Sequence, residues 1–116
     1  MLRPGQPLQC LSIQIELEKV RITLQDGQVV EKCGFRIGGG IDQDPEKSSF
    51  NYPDTGIYIT SIEHGSPAEV AGLRQHDKIL EVNGYDFTMV THDRAVKCIK
   101  RSSLLKMLIA RREVAI

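Results

Sequence analysis

The chain has 116 residues, of which 41% are hydrophobic, and its 15 basic and 15 acidic residues give a formal net charge of zero. This length holds one domain, and the balanced charge excludes a bulk attraction to nucleic acid or to an acidic membrane. Three widely spaced cysteines exclude a disulfide framework and a zinc pair. They favour a reducing, cytoplasmic compartment, with the nucleus and the inner face of the plasma membrane as alternatives. No metal or cofactor is predicted.

The first third of the chain predicts an arm followed by strands. Prolines and a glycine near the start indicate a flexible arm, which we place at residues 1–12. Apolar and polar residues then alternate over 13–17 and again over 20–24, the period of a strand. The alternation changes phase near residues 18–19, which predicts a bulge or a break. Asp26-Gly27 is a turn signal.

The stretch that follows combines a glycine turn, a short strand and three glycines. Cys33-Gly34-Phe35 forms the turn, Phe35 and Ile37 share one face of the strand, and Gly38–Gly40 end it. A turn of this kind presents successive backbone N–H groups in one direction, and such a concavity binds anions, including a terminal carboxylate. A strand with a free edge can also hydrogen-bond to an added chain. We therefore expect this segment to capture the C-terminal tail of another protein.

The middle of the chain predicts a loop, a strand and a short helix. Polar residues and two prolines over 41–55 indicate a long loop. The β-branched and aromatic run over 56–62 is typical of a strand. Ser66 followed by Pro67 marks a helix start, and Gly72 marks its end.

The last third predicts two strands around the main helix. The strand over 78–82 is closed by the Asn83-Gly84 turn. Thr91 caps an amphipathic helix of about three turns, and Ser102-Ser103 end it. A final alternating strand runs to residue 112.

Together these elements predict an α+β, mainly β, fold. Five to six short strands linked by hairpin turns favour a small antiparallel β-barrel or sandwich, capped by two α-helices. We place a single domain at residues 13–112 and a C-terminal tail at 113–116. The tail ends in Val114-Ala115-Ile116, an aliphatic terminus that could contact a neighbouring copy head to tail, although we expect a monomer.

Several motifs together resemble the PDZ domain family. Cys33-Gly34-Phe35 is similar to the hydrophobic-Gly-hydrophobic turn of PDZ domains, and the runs 65–73 and 77–84 are similar to their helix–strand block. His92 opens the long helix where the family has its specificity histidine. The likeness covers roughly residues 5–112. The chain departs at Cys33, where a larger aliphatic is usual, and at Val96, where a similar family member has a long basic side chain.

This resemblance implies a non-catalytic module that binds tails ending in Ser/Thr-X-hydrophobic, by strand addition between the second strand and the second helix of the family fold. The backbone N–H groups of Cys33, Gly34 and Phe35 would hold the carboxylate. His92 would accept a hydrogen bond from the hydroxyl at the third-last position, and Arg36 would meet an acid at the fourth-last. The expected groove residues are Cys33, Phe35, Arg36, Ile37, His92, Val96 and Ile99.

The resemblance is closest to members with a single PDZ domain, which implies a role for the chain and a set of partners. A chain with one such domain would cap a tail and compete for it with multi-domain scaffolds. The implied partners are a Tax-like oncoprotein, β-catenin, a glutaminase and Rho effectors.

Other readings of the sequence lead to different classes of function. His76-Asp77 and His92-Asp93 suggest catalytic dyads, but no nucleophile elbow accompanies them. Gly38–Gly40 lack the Lys-Ser/Thr of a phosphate loop, and we interpret the acidic run 42–46 as a solvated loop rather than a calcium site. The alternative functions are a peripheral membrane adaptor with at most weak lipid contact and, far behind it, a small hydrolase. The basic residues of the C-terminal third that would serve the membrane adaptor are Lys97, Lys100, Arg101, Lys106, Arg111 and Arg112.

Overall fold

The computed structural model describes residues 10–47, 50 and 52–112, and within them the chain forms eight strands and two α-helices. A short 3-10 turn covers Pro45–Lys47. The strands are β1 Cys10–Glu18, β2 Val20–Thr23, β3 Val29–Lys32, β4 Phe35–Gly39, β5 Ile57–Ile62, β6 Lys78–Val82, β7 Tyr85–Asp86 and β8 Leu104–Arg112. The helices are α1 Pro67–Ala71 and α2 His92–Arg101.

The strands pair antiparallel in one main sheet and one separate ribbon. The main sheet has the order β1-β8-β6-β5-β4, with β7 on β6, and β2 pairs with β3 alone. The predicted fold class, mainly β with two helices, is therefore confirmed. Eight strands form in the described part of the chain instead of the predicted five to six. The chain breaks at Lys19, whose N–H donates to the Ser103 carbonyl at 2.8 Å, and the two-residue strand β7 adds to the count. That break separates β1 from the β2–β3 hairpin.

The predicted limit of the N-terminal arm needs a correction. Cys10 pairs with Arg112 and Ser12 with Ala110, so residues 10–12 belong to β1 rather than to an arm that ends at residue 12. The long strand β8 offers backbone partners over its whole length, regardless of side-chain alternation. Residues 1–9 and the tail 113–116, including Val114-Ala115-Ile116, lie outside the described residues.

Period-two alternation places one face of each long strand in the core. In β1, Ile15 and Leu17 are buried between exposed neighbours, as the alternation predicts. In β8, Leu105, Met107 and Ile109 are buried, and the residues between and after them are exposed or half-buried. The other buried apolar side chains of this core are Ile57, Ile59, Ala68, Leu73, Ile79, Val82, Phe87, Ala95 and Ile99.

Both helices begin at the residues that their sequence signals indicate. The Ser66 hydroxyl accepts from the Glu69 N–H at 3.3 Å, Pro67 is the first helical residue, and Gly72 closes α1 in the left-handed region. The Thr91 hydroxyl accepts from the Arg94 N–H at 3.2 Å. These caps satisfy donors that a helix start leaves open and so fix where α2 begins.

A buried ion pair ties the end of β8 to the start of β6. Arg111 donates from Nε and Nη2 to the two carboxylate oxygens of Asp77, at 2.9 and 2.7 Å, and from Nη2 to the Gly72 carbonyl at 2.8 Å. Asp77 is only 1% exposed. The hydrogen bond to Asp77 raises the pKa of Arg111 above its ordinary value. The Arg111 side chain is thus engaged in contacts within the fold.

None of the described helices is long and apolar enough to cross a membrane.

Candidate functional site

One edge of the sheet is open beside α2. β4 is the last strand in the sheet order, so β5 covers one of its edges and no described strand pairs with the other. In an extended strand the backbone groups of successive residues point alternately to the two edges. The Gly34 carbonyl, just before β4, accepts from the Glu63 N–H next to β5, and the Gly39 carbonyl at the end of β4 contacts His92 of α2. The register shift between Arg36 and Ile37 skips Thr60 of β5, so the alternation along β4 itself continues, with even-numbered residues facing β5 and odd-numbered residues facing α2. The N–H and C=O groups of Phe35 and Ile37 therefore face the open edge.

The turn before β4 points its N–H groups to the same open side. The Cys33 carbonyl accepts from the Ala68 N–H at 2.9 Å, and the Gly34 carbonyl accepts from the Glu63 N–H at 2.8 Å. All peptide bonds in the described residues are trans, and in a trans peptide the N–H points opposite to the preceding C=O. The N–H groups of Gly34 and Phe35 consequently point away from these partners. The contribution of the Cys33 N–H stays a prediction.

Glycine at position 34 is required for two independent reasons. Its φ of 89° lies in the left-handed region, which side chains rarely adopt. A Cβ built there would also overlap the Cβ and the hydroxyl of Ser66, the residue that caps α1. The turn therefore packs closely against the start of α1. This contact restricts the positions of the Gly34 and Phe35 N–H groups.

The helix side of the groove carries the predicted residues on one face of α2. His92 and Val96 are four residues apart and Ile99 is three further, so they lie in one stripe. His92 Nδ1 is 2.9 Å from the Gly39 carbonyl oxygen, which turns this face toward β4. Val96 is half-buried, whereas Ile99 is only 7% exposed and can form only the floor of a pocket.

The strand side supplies three apolar side chains and one exposed cation. Cys33, Phe35 and Ile37 are half-buried and pack against the core, and Arg36 between them is exposed. This alternation agrees with a predicted pocket on one face and an outward Arg36. The structure thus packs Cys33, Phe35 and Ile37 against the core that contains Ile99 of α2. Val96 lies on the same stripe of α2 as Ile99, and Arg36 is exposed.

The hydrogen bond from His92 fixes the tautomer of its ring. A carbonyl oxygen only accepts, so the contact with Gly39 requires the proton on Nδ1. In the neutral imidazole this leaves Nε2 as a bare acceptor. An acceptor at this end of the groove is what a hydroxyl of an added chain requires.

Neither histidine–aspartate pair of the sequence forms a dyad. Asp77 is engaged by Arg111, and His76 Nδ1 lies 3.0 Å from the Tyr52 hydroxyl. The Asp93 carboxylate pairs with Lys97 at 2.9 Å. Neither aspartate is therefore placed to orient the imidazole of its neighbouring histidine for general base catalysis.

Two residues at the end of the groove were not anticipated from the sequence. The Gly39 carbonyl holds the His92 ring, and Asp42 Oδ1 accepts from the His92 N–H at 3.0 Å. A cavity of about 300 Å³ opens beside them, and His92 is the only predicted site residue that lines it. Asp42 and His92 are 50 residues apart in sequence, and the acidic run around Asp42 gives no local signal of this contact.

The far end of the same loop is anchored on β5 and β6. The rings of Tyr52 and Tyr58 stack with centroids 4.1 Å apart. The Tyr58 hydroxyl donates to Asp54 Oδ1 at 2.9 Å, and Lys78 Nζ donates to Asp54 Oδ2 at 2.9 Å. The loop between β4 and β5 is therefore fixed at both ends, at α2 and at the outer face of the sheet.

This anchor predicts a loss of stability at alkaline pH. Burial, and next the hydrogen bond to Asp54, raise the pKa of Tyr58 above its ordinary value. The unfolded chain releases the Tyr58 proton near pH 10, where the folded chain keeps it, so the free energy of unfolding falls as the pH rises above about 10. Thermal melts from pH 8 to 11 should show this fall. Tyr58→Phe should flatten it, and a Tyr85→Phe control at an exposed tyrosine should leave it unchanged.

Comparisons with known proteins identify the family. The family model of the PDZ domain matches residues 21–110. The chain is 62% identical over 111 residues to the Tax1-binding protein 3 homolog of Caenorhabditis elegans, covering 96% of this chain and 90% of the relative. It is 44% identical over 115 residues to Tax1-binding protein 3 of Homo sapiens, covering 96% and 89%. A crystal structure of wild-type TIP-1 matches with a TM-score of 0.76 and 42% identity, over 89% of each chain.

The three comparisons agree with one another. The family model matches most of the chain, the relatives align along nearly their whole length, and a solved structure has the same fold. PDZ domains are non-catalytic modules that bind C-terminal peptides of other proteins. The open edge of β4, the outward N–H groups at Gly34 and Phe35, and the apolar face of α2 are features that such binding uses. The chain belongs to the PDZ domain family.

Proposed function

We propose that the chain binds free C-terminal tails ending in Ser/Thr-X-hydrophobic, by strand addition to β4 in the groove between β4 and α2. The observation that carries this proposal is the alternation along β4. The backbone groups of Phe35 and Ile37 face the open edge, and the N–H groups of Gly34 and Phe35 point away from their anchors. Together they offer an anion site followed by an edge for one short strand.

The spacing along the edge aligns the tail with His92. A carboxylate at the Gly34 and Phe35 N–H groups places the last ligand residue beside Phe35. Two residues of an extended strand span about 6.8 Å on both chains, so the third-last ligand residue lies beside Ile37. The next outward carbonyl is that of Gly39, which holds the His92 ring. A hydroxyl at the third-last position is then adjacent to the free Nε2.

The last ligand side chain enters the apolar region between β4 and α2. We propose that Cys33, Phe35 and Ile37, which pack against the core around Ile99, form one side of its pocket, and that Val96 of α2 forms the other. Burial of one Val or Leu side chain contributes about 1.5–3 kcal/mol. Because Cys33 is small, we propose that the pocket accepts Leu or Ile as readily as Val.

We expect a modest affinity for the tail, and we propose that the chain competes for such tails with other proteins. Four to six ligand residues make contact, and ordering them consumes part of the gain, so we expect a binding free energy on the order of −7 to −9 kcal/mol, which corresponds to micromolar affinity. We propose that this PDZ domain competes in the cytoplasm with multi-domain scaffolds for tails. The relatives' name records binding of Tax1. We extend to this chain the partner classes of Tax-like oncoprotein, β-catenin, glutaminase and Rho effectors.

Amidation of the ligand tests the anion site. A fluorescence-polarisation titration of a labelled hexapeptide ending in Thr-X-Leu should show binding of the free acid. The C-terminal amide should bind about ten- to a hundred-fold more weakly, because its neutral carbonyl can still accept from the two N–H groups but lacks the charge that strengthens these hydrogen bonds. Equal affinities for the acid and the amide would contradict the proposed function.

The role of His92 has its own test, which compares tails with Thr or Val at the third-last position. Wild type should prefer Thr by about five- to ten-fold, the value of one hydrogen bond in a half-buried groove. His92→Ala should reduce this preference to less than about two-fold, because no acceptor remains. His64→Ala is the matched control, since the His64 side chain is 97% exposed and its recorded ion-pair contact is with Glu69, outside the groove. A Thr preference that survives His92→Ala would refute the assigned role.

A further inference from the structure

We propose that Asp42 is a positioning residue for tail binding: its carboxylate holds the first turn of α2 against the end of β4 and so sets the place of His92. This inference rests on the proposed function and concerns the specificity end of the same groove. Asp42 itself lies outside the strand and the helix that form the groove, in the loop between β4 and β5.

Three hydrogen bonds join the end of β4 to the start of α2. The Ile41 N–H donates to the Val90 carbonyl at 2.9 Å, and the His92 N–H donates to Asp42 Oδ1 at 3.0 Å. The His92 ring donates to the Gly39 carbonyl at 2.9 Å. Two of the three end on His92, one at its backbone and one at its ring. The backbone bond fixes where the residue sits, and the ring bond fixes how it is turned.

The two chain segments approach so closely that a side chain cannot separate them. Gly40 is buried with a φ of 125°, and a Cβ built on it would lie 2.5 Å from the His92 nitrogen and 2.9 Å from Asp42 Oδ1. Contacts of that length force one segment to move. The absence of a side chain at position 40 therefore lets the Asp42 carboxylate reach the backbone of α2.

The bond from Asp42 is not needed to start the helix. Thr91 already caps α2 through the Arg94 N–H. The N–H of His92, the first helical residue, would ordinarily be left to water. Here a carboxylate from 50 residues earlier in the chain accepts it. Its effect is to connect the helix to the sheet, so its loss should change the groove before it changes the helix.

The local electrostatics favour an ionised Asp42. The backbone hydrogen bond from His92 lowers the pKa of Asp42 below its ordinary value. A negative charge at a helix N-terminus is also stabilised by the helix dipole. The other carboxylate oxygen contacts the Gln43 amide at 3.5 Å. The carboxylate is thus held in place by loop and helix together.

The test measures selectivity rather than affinity alone. In Asp42→Ala the backbone of His92 loses its hydrogen bond to the loop, although the Ile41–Val90 and His92–Gly39 bonds remain. The first turn of α2 can then shift, and Nε2 of His92 is held less closely beside the third-last ligand residue. We expect the Thr-over-Val preference to fall from about five- to ten-fold to less than about two-fold, and binding of the Thr tail to weaken about three- to ten-fold. A general loss of stability would not single out one ligand position.

Two further variants complete the comparison. Asp42→Asn keeps an oxygen that can accept from the His92 N–H, so its Thr-over-Val preference should stay within about two-fold of wild type. Asp26→Ala removes another exposed carboxylate that accepts a backbone N–H, from Gln28 at 3.0 Å, but in the turn between β2 and β3. It should bind both tails like wild type. Circular dichroism melts of all three variants should show that each is folded at the temperature of the titrations.

The outcomes separate this inference from the proposed function. If wild type binds the acid and the amide equally, tail capture itself is wrong. If wild type prefers the acid and Thr, but Asp42→Ala keeps the full Thr preference, only the positioning role is overturned. Loss of the preference in both Asp42→Ala and Asp42→Asn would also overturn it, because the accepted hydrogen bond would not be the cause.

Discussion

Replacing Gly34 by alanine is expected to weaken tail binding by about a hundred-fold or more. The new Cβ would overlap Ser66. The alanine would also have to adopt a φ of 89°, which costs a residue with a side chain about 1–2 kcal/mol. The turn can relieve this overlap only by moving away from α1, and the N–H groups of Gly34 and Phe35 move with it. Two charge-assisted hydrogen bonds, each worth about 1.5–3 kcal/mol, are then lost.

A control and a rescue separate backbone strain from the overlap. Gly27 has a φ of 85°, and a Cβ there would meet nothing within 4 Å, so Gly27→Ala carries the same strain in the β2–β3 turn but should bind normally. Ser66→Gly removes the overlapping atoms and costs a helix cap only a few tenths of a kcal/mol. The double variant Gly34→Ala/Ser66→Gly should recover part of the affinity. Near wild-type binding by Gly34→Ala would show that the turn does not hold the carboxylate.

Replacing Arg111 by methionine is expected to cost about 3–5 kcal/mol of unfolding free energy. The change leaves the Asp77 carboxylate, which is 1% exposed, with the Arg74 N–H as its remaining partner. A buried charge without its counter-ion is among the costliest single defects. For a domain of this size the midpoint of thermal unfolding should fall by about 12 °C or more. Urea unfolding monitored by circular dichroism gives the free energy directly.

The neighbouring arginine provides the matched control for this experiment. Arg112 is exposed, and Arg112→Met should change stability by no more than about 0.5 kcal/mol. Adding Asp77→Asn to Arg111→Met removes the uncompensated charge but keeps an acceptor for the Arg74 N–H, so the double variant should be more stable than Arg111→Met. The ion pair would have no structural importance if Arg111→Met and Arg112→Met unfolded alike.

Local signals in the sequence were sufficient for the two helices and their ends, but not for the start of β1. Ser66, Gly72 and Thr91 are caps in the structure because each satisfies or turns away backbone groups next to it in the chain. The phase change at residues 18–19 is a break in the structure because one continuous strand cannot keep the same face buried across a change of phase. The placement of the Phe35 and Ile37 side chains on one face of β4 also follows from neighbouring residues alone.

Contacts between distant segments were beyond such signals. The basic C-terminal third suggested a solvated or lipid-facing surface, yet Arg111 is held by Asp77, 34 residues away. Asp42 was interpreted as part of a solvated loop, and only the fold shows that it meets His92. Nothing local distinguishes such a carboxylate from one that contacts only water, because the fold, not the neighbouring residues, decides which distant group it meets.

The His92 ring on the Gly39 carbonyl also bears on solubility. Exposed sheet margins are templates for unlimited self-association, and long, flat ones are the most hazardous. In this protein the imidazole and the helix behind it cover the margin after Ile37, so only a segment of a few residues can dock, and only with its end against Gly34. The side chain that we propose to recognise the ligand would thus also limit self-association. Variants that remove the His92 ring from the Gly39 carbonyl would lengthen the unpaired edge of β4, and they should precipitate at lower protein concentrations than wild type.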